Sequence, residues 1–166
     1  MNKTLPRIIE ETQLVEFSED GRSFQLHPEA LKAWEEMKTK AISYGVQLRI
    51  VSAFRSVHRQ AEIIEEMKKK GMSDKDIYEV SAPPGFSEHH SGRAIDISTP
   101  GYPSLEEVFE DSEAFDWLLK NAGDCGFRLS YPRDNAYEIA YEPWHWFYGK
   151  IPQPSASVNV DETETE

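Results

Sequence analysis

Cysteine is almost missing from this chain of 166 residues. Cys125 stands alone, so no internal disulfide can form, which excludes a disulfide-dense secreted scaffold and a cysteine-built zinc finger. It lies in Gly123-Asp124-Cys125-Gly126 without a basic neighbour and reads as a buried structural thiol. Long apolar runs are missing as well. None approaches the roughly 18 residues of a membrane span, and no apolar stretch of the signal-peptide kind follows Met1. A soluble chain made in the cytoplasm is therefore expected. Positive charge is scarce: 18 Lys and Arg stand against 30 Asp and Glu, for a net charge of −12. That balance lacks the basic footprint that phosphate backbones require, which argues against nucleic acid and anionic membrane surfaces as partners.

What is present suits one globular domain. Hydrophobic residues make up 39% of the chain, and its length matches a single core. Glu19-Asp20-Gly21 between Phe17 and Phe24 is a turn signal for a short hairpin. Pro28 suits a first helical position, and Leu31, Trp34, Met37 and Ala41 follow at helical spacing toward Gly45. Val46, Leu48 and Ile50 alternate as in a strand. A second helix is expected from Val57 to Lys70, a short third from Ser73 to Val80, and a strand over Arg93–Ser98. Ser104 with Glu107 reads as a capping box opening a helix, and a further helix is expected over Ser112–Ala122. Phe127, Leu129 and Tyr131 alternate, and Glu138–Tyr148 reads as β-structure. After Ile151 the composition turns to Pro, Ser, Val and acid, with Asp161, Glu162, Glu164 and Glu166 near the end. The expected organisation is an N-terminal extension at 1–27, a domain at 28–151 and a disordered acidic tail at 152–166. Helices interleaved with short strands point to an α+β fold.

Five histidines occur, at positions 27, 58, 89, 90 and 145. His89 precedes Asp96 by seven residues, and Glu142 precedes His145 by three. Zinc takes neutral imidazole and carboxylate ligands, and a catalytic zinc site keeps three protein ligands plus water. His89, Asp96 and His145 would supply two nitrogens and one oxygen, with Glu142 left as a base. Taken alone these spacings are weak, since a histidine beside an acid is more often a surface or capping pair. His90 competes with His89 at this point. Glu142 and His145 would diverge on an ideal strand, so their convergence requires an irregular backbone, which Pro143 favours. Arg55, just past a strand end, could clamp a carboxylate or be a plain surface residue. His27 and His58 read as surface residues. Trp144, Trp146, Phe147 and Tyr148 read as core, and the acidic run from Glu106 to Asp116 as a solvated face.

Three ordered blocks resemble the zinc D-alanyl-D-alanine carboxypeptidase (VanY-type) family, with its related D-Ala-D-Ala dipeptidases and L,D-carboxypeptidases. The family reads roughly S-G-Y-R-S-x3-Q, S-x-H-x2-G-x-A-x-D and E-x-W-H. Here they are Ser52-Ala53-Phe54-Arg55-Ser56 with Gln60; Ser87, His89, Gly92, Ala94 and Asp96; and Glu142, Trp144 and His145. The resemblance spans about residues 28–149 and implies a single-domain fold of the Hedgehog/DD-peptidase kind, a small, mostly antiparallel sheet flanked by helices with a zinc site at the sheet face. It implies His89, Asp96 and His145 as Zn2+ ligands, Glu142 as catalytic base, Arg55 as catalytic and substrate-binding, and Gln60 and Ser87 as substrate contacts. It also places His89, not His90, at the ligand position.

The implied reaction is removal of a C-terminal D-alanine from peptidoglycan-type peptides. A D-Ala-D-Ala dipeptidase, an L,D-carboxypeptidase, a phage-type endopeptidase and a non-catalytic zinc-binding module are the alternatives, and a periplasmic enzyme or released lysin the alternatives in location. Ala53 and Phe54 replace the family's Gly and Tyr. Ser130 stands before Tyr131-Pro132 where the family often carries Arg, and Trp146-Phe147-Tyr148 follows the ligand histidine where another Arg is common. These departures leave the metal ligands intact and D,D versus L,D preference open. Oligomeric state is not legible.

Overall fold

The computed structural model describes residues 5–154. The expected tail therefore lies outside the described residues from position 155 onward. Chain order begins with a hairpin, β1 (Val15–Glu19) and β2 (Arg22–Leu26), whose register runs from Val15 opposite Leu26 to Glu19 opposite Arg22. Asp20 and Gly21 both take positive φ, 50° and 74°, which is what a two-residue turn of matching twist requires. The segment before position 28 is packed onto the rest. Phe24 and Leu26 enter the main core, Glu19 accepts from Trp34 Nε1 at 2.8 Å and pairs with Lys38, and Ile8 N donates to Gly85 O at 2.9 Å.

Helix α1 (Pro28–Ser43) starts as its sequence indicates, with Pro28 in the first turn and the His27 side chain accepting from Glu29 N. Its buried face is Ala30, Ala33, Trp34, Met37 and Ala41. Strand β3 (Arg49–Ser52) follows, shorter than the alternation beginning at Val46 suggests: Val46 and Leu48 are buried but precede the ladder. Helices α2 (Val57–Lys69) and α3 (Asp74–Val80) begin at Ser56 and Ser73, whose side chains accept from the backbone three residues on. After a single 3-10 turn at Glu88–Ser91 come strand β4 (Ala94–Ser98), helix α4 (Glu113–Asn121), capped by Ser112, and strands β5 (Phe127–Leu129) and β6 (His145–Tyr148).

Two expectations fail. Ser104 does not open a helix. Leu105 takes φ 58°, which breaks the helical path, and only one 3-10 turn forms over Glu107–Asp111, without a side-chain cap. The segment from Glu138 is not continuous β-structure. Glu138 takes φ 54°, and the Asn135 side chain accepts from Tyr137 N and Ile139 N, so the chain coils locally and pairs only from His145.

The four longer-range strands form an antiparallel sheet in the order β3-β4-β6-β5. As an inner strand, β4 is buried at all five positions. Its alternation divides the two faces. Ile95, Ile97 and, across the ladder, Trp146 face the main core with α1 and α4, whereas Asp96 lies on the other face opposite His145. A register shift between Ile50 and Ser52 brings Ser52, rather than Val51, opposite Asp96, a bulge of the kind that re-aims side chains. Helices α2 and α3 pack against one another.

Gly92 ends the 3-10 turn at φ 68°, and its carbonyl accepts from His27 N at 2.8 Å. A Cβ there would lie 2.9 Å from Leu14 Cδ2 and 3.0 Å from His27 N. Backbone cannot yield as a flexible side chain does. Gly92→Ala is expected to destabilise the fold by about 2–3 kcal/mol, measured as a lower urea midpoint at unchanged slope.

Candidate active site

The bare face of the sheet becomes a site because four chain segments converge on Asp96. The 3-10 turn presents His89, with Ser87 Oγ accepting from His89 N at 3.3 Å. His89 Nδ1 lies 2.7 Å from Ala53 O, and since a carbonyl only accepts, Nδ1 carries the proton. The lone pair of Nε2 then faces Asp96 Oδ2 at 3.2 Å. Burial pushes His89 down from its ordinary value, so two acceptors confront one another. A cation between them resolves that contact.

His145 opens β6 directly opposite Asp96, and its Nδ1 lies 3.1 Å from Asp96 Oδ1. Its ring stands edge-on to His89, with centroids 5.0 Å apart. One ligand atom from each of His89, Asp96 and His145 falls within 4.8 Å of the others, and all three residues are buried. Two imidazole nitrogens and one carboxylate oxygen with a side open to a cleft form a donor set that suits catalytic zinc. Burial alone would raise the Asp96 carboxyl, but His89 and His145 outweigh it and hold it well below the usual range. Burial likewise opposes charge on His145, yet hydrogen bonds to Asp96 and Glu88 push it up to about 10.

Glu142 reaches the cluster through the irregular backbone its position requires. A turn over Pro143 and Trp144 lets His145 N donate to Glu142 O at 3.2 Å, while Trp146 Nε1 donates to Pro143 O at 3.0 Å. The Glu142 carboxylate ends 3.7 Å from His145 Nδ1. Burial, aided by the neighbouring carboxylates and opposed by His145 and Arg55, pushes it up to about 7, close to what a general base at neutral pH needs.

Arg55 enters from the end of β3. Its Nη1 donates to Gln60 Oε1 at 2.9 Å, its Nη2 to Ser52 Oγ at 3.2 Å, and its backbone N to His89 O at 3.1 Å. Burial lowers the guanidinium pKa from a very high starting value, with Asp96 and Glu142 opposing. Gln60 is 1% exposed, and its Nε2 donates to Ser81 Oγ at 2.9 Å and Ala82 O at 2.7 Å. Its amide thus joins Arg55 to the segment after α3. Ser87 caps the ligand turn. His90 is fully buried but turned elsewhere: Nδ1 meets Arg55 O at 2.7 Å and Nε2 accepts from Gly85 N at 3.1 Å. It braces the loop and stays outside the cluster.

Two residues of the site escape sequence reasoning. Glu88 is 3% exposed, with Oε2 3.0 Å from His145 Nε2 and accepting from Ser130 Oγ at 2.7 Å. Tyr131 lays its ring 4.8 Å from that of His145 at 35°. Burial, reinforced by the nearby carboxylates, keeps its phenol protonated well above the ordinary range. The only sequence signal for Glu88 is its place beside His89. These groups line a cleft of about 430 Å³, whose other walls are apolar and include Ile63, Met67, Val80 and Ile139.

A family model described as "VanY: D-alanyl-D-alanine carboxypeptidase" matches residues 23–151. The chain is 35% identical over 137 residues to YodJ of Bacillus subtilis (strain 168), covering 80% of this chain and 49% of that protein, so it spans about half the length of this relative. Among solved structures it is similar to the LdcB LD-carboxypeptidase, with TM-score 0.73 and 35% identity over 84% of this chain and 69% of that one. It is also similar to the vancomycin-resistance D,D-pentapeptidase VanY E175A variant in complex with Zn(II), with TM-score 0.69 and 27% identity over 88% of this chain and 84% of that one.

Gln60→Leu would strand Ser81, Ala82 O and the Arg55 fork together. A loss of about 1–3 kcal/mol in unfolding free energy is expected, read by urea denaturation.

Proposed function

The chain belongs to the VanY family of D-alanyl-D-alanine carboxypeptidases, and on that premise we propose that it is a zinc-dependent carboxypeptidase that removes a C-terminal D-alanine from peptidoglycan-type peptides. The observation that carries this reading is the convergence of His89, Asp96 and His145, with the base Glu142 beside them, on the floor of one cleft. The confrontation of His89 Nε2 with Asp96 Oδ2 supports a cation at that point.

His89 Nε2, an Asp96 oxygen and His145 Nδ1 would hold the zinc. Zinc bound there supplies an acidified water and a Lewis-acid contact for the scissile carbonyl. Glu142 accepts the proton of the attacking water and returns it to the departing amine, a double task suited to a carboxylate poised near neutrality. Arg55 directs a guanidinium, held in place by Gln60 and Ser52, at the charge that develops on the carbonyl oxygen. Tyr131, held neutral, contributes a packed wall against His145 and adds no charge to the cleft. The apolar side of the cleft suits the aliphatic parts of a short peptide.

An L,D-carboxypeptidase is the second reading. The greater identity to LdcB than to the D,D-pentapeptidase favours it, 35% against 27%. The same residues would perform the same steps.

Stem pentapeptide ending in D-Ala-D-Ala, the corresponding tetrapeptide and free D-Ala-D-Ala are to be incubated in parallel, with and without a zinc chelator. Chelator-sensitive release of D-alanine is the expected result, and the preferred peptide names the subclass. Zinc-loaded protein that releases nothing from any of the three would overturn the carboxypeptidase reading. Glu142→Gln is expected to keep zinc and lower kcat by about 10²–10⁴-fold, and Arg55→Ala to lower it by about 10²–10³-fold. Both are checked by steady-state kinetics alongside metal analysis.

A further inference from the structure

The outer side of His145 carries its own construction. Its Nε2 points away from Asp96 and Glu142 and lies 3.0 Å from Glu88 Oε2. That same oxygen accepts from Ser130 Oγ at 2.7 Å. Glu88 and Ser130 are 3% and 4% exposed. Glu88 belongs to the turn that carries His89, and Ser130 directly follows β5, so a chain of two contacts ties two other segments to the imidazole on β6. The turn is itself fixed, since Ser91 Oγ donates to Glu88 O and Ser87 Oγ accepts from His89 N.

We propose that Glu88, anchored by Ser130, is the positioning residue that fixes the tautomer and orientation of His145. The inference rests on the zinc reading of the site. Asp96 and Glu88 together favour a proton on each nitrogen of the metal-free ring, but a ligating His145 must give one up, and a neutral imidazole has one N–H and one lone pair. Asp96 lies 3.1 Å from Nδ1 and would by itself draw the proton there, turning the lone pair away from the cluster. Glu88 competes from the opposite side. With the proton on Nε2 and donated to Glu88, the Nδ1 lone pair faces Asp96 and Glu142, where it can serve as a ligand. A carboxylate on the far nitrogen of a ligating histidine also makes the near one a stronger donor. Ser130 supplies a neutral hydrogen bond that holds the carboxylate in place without neutralising it. Glu88 thereby acts on the metal through His145, without touching it.

The test is zinc affinity, measured by competition with a chromophoric chelator on the full chain, together with urea unfolding of each metal-free variant. Glu88→Ala is expected to weaken zinc binding about 10–100-fold. Glu88→Gln is expected to restore most of it, because its amide oxygen still accepts from Nε2–H. Ser130→Ala is expected to weaken binding several-fold while lowering the unfolding midpoint only by the loss of one buried hydrogen bond, and it carries the test if Glu88→Ala does not fold. Wild-type affinity in Glu88→Ala, or in Ser130→Ala where that variant alone folds, would overturn the proposal. So would Glu88→Gln binding as poorly as the alanine variant at equal stability, since that would mark a packing role. Wild-type protein that fails to bind zinc would instead overturn the reading of the site on which the proposal rests.

Discussion

Asp96 sits on an inner strand of a buried sheet, and an ionised carboxylate in that position must be surrounded by groups that stabilise its charge. Most of the site can be understood as the means of surrounding it. The antiparallel register of β4 and β6 sets His145 directly across from it. The 3-10 turn before β4 swings His89 to its other oxygen, and the bulge in β3 brings Ser52 alongside, from which Arg55 is held. A shift of one residue in the β4–β6 pairing would send Asp96 or His145 into the hydrophobic core. The aromatic and aliphatic packing of Ile95, Ile97 and Trp146 on the core face therefore enforces the register on which the polar face depends.

Such a concentration of buried ionisable groups does not stabilise a fold efficiently. Desolvation of each charge offsets much of the attraction between them, and loss of any one leaves the others uncompensated. The protein tolerates the arrangement because the opposite face is well filled. Trp34, Met37, Leu26 and Leu118 are wholly buried, and the hairpin contributes Phe24 and Leu26 to the same cluster. The two faces of one sheet thus have different tasks, and the N-terminal hairpin belongs with the stabilising one.

Much of this was legible in the residues. The spacing of His89, Asp96, Glu142 and His145 within three ordered blocks marks the cluster the structure assembles, and the helix starts expected at Val57, Ser73 and Ser112 are found to within one residue. Glu88 was not legible, because its partners His145 and Ser130 lie 57 and 42 positions away and no local pattern joins them. Ser104 and Glu107 misled because a capping box speaks only for the helix end. Nothing in it foretells that Leu105 will adopt a left-handed backbone. The β-structure expected over Glu138–Tyr148 forms only at His145–Tyr148, for a related reason. Alternation of apolar residues does not register the turns that Asn135 makes with its own side chain.

The excursion between β5 and β6 has a narrow neck. It leaves the sheet after Leu129, opposite Trp146, and is cinched where Glu142 N donates to Tyr131 O at 3.0 Å. Ile139, Ala140 and Tyr141 contribute to the cleft wall from beyond that neck, whereas Tyr131 and Glu142 stand at it. Beyond the neck the segment is itself anchored: Tyr137 and Ile139 pack with Tyr131, Ala140 N donates to Glu79 O at 3.0 Å, and Arg133 pairs with Glu110. The neck therefore ties strand pairing and the placement of Glu142 to Tyr131, while the cleft wall that Ile139, Ala140 and Tyr141 supply is set by the packing beyond it.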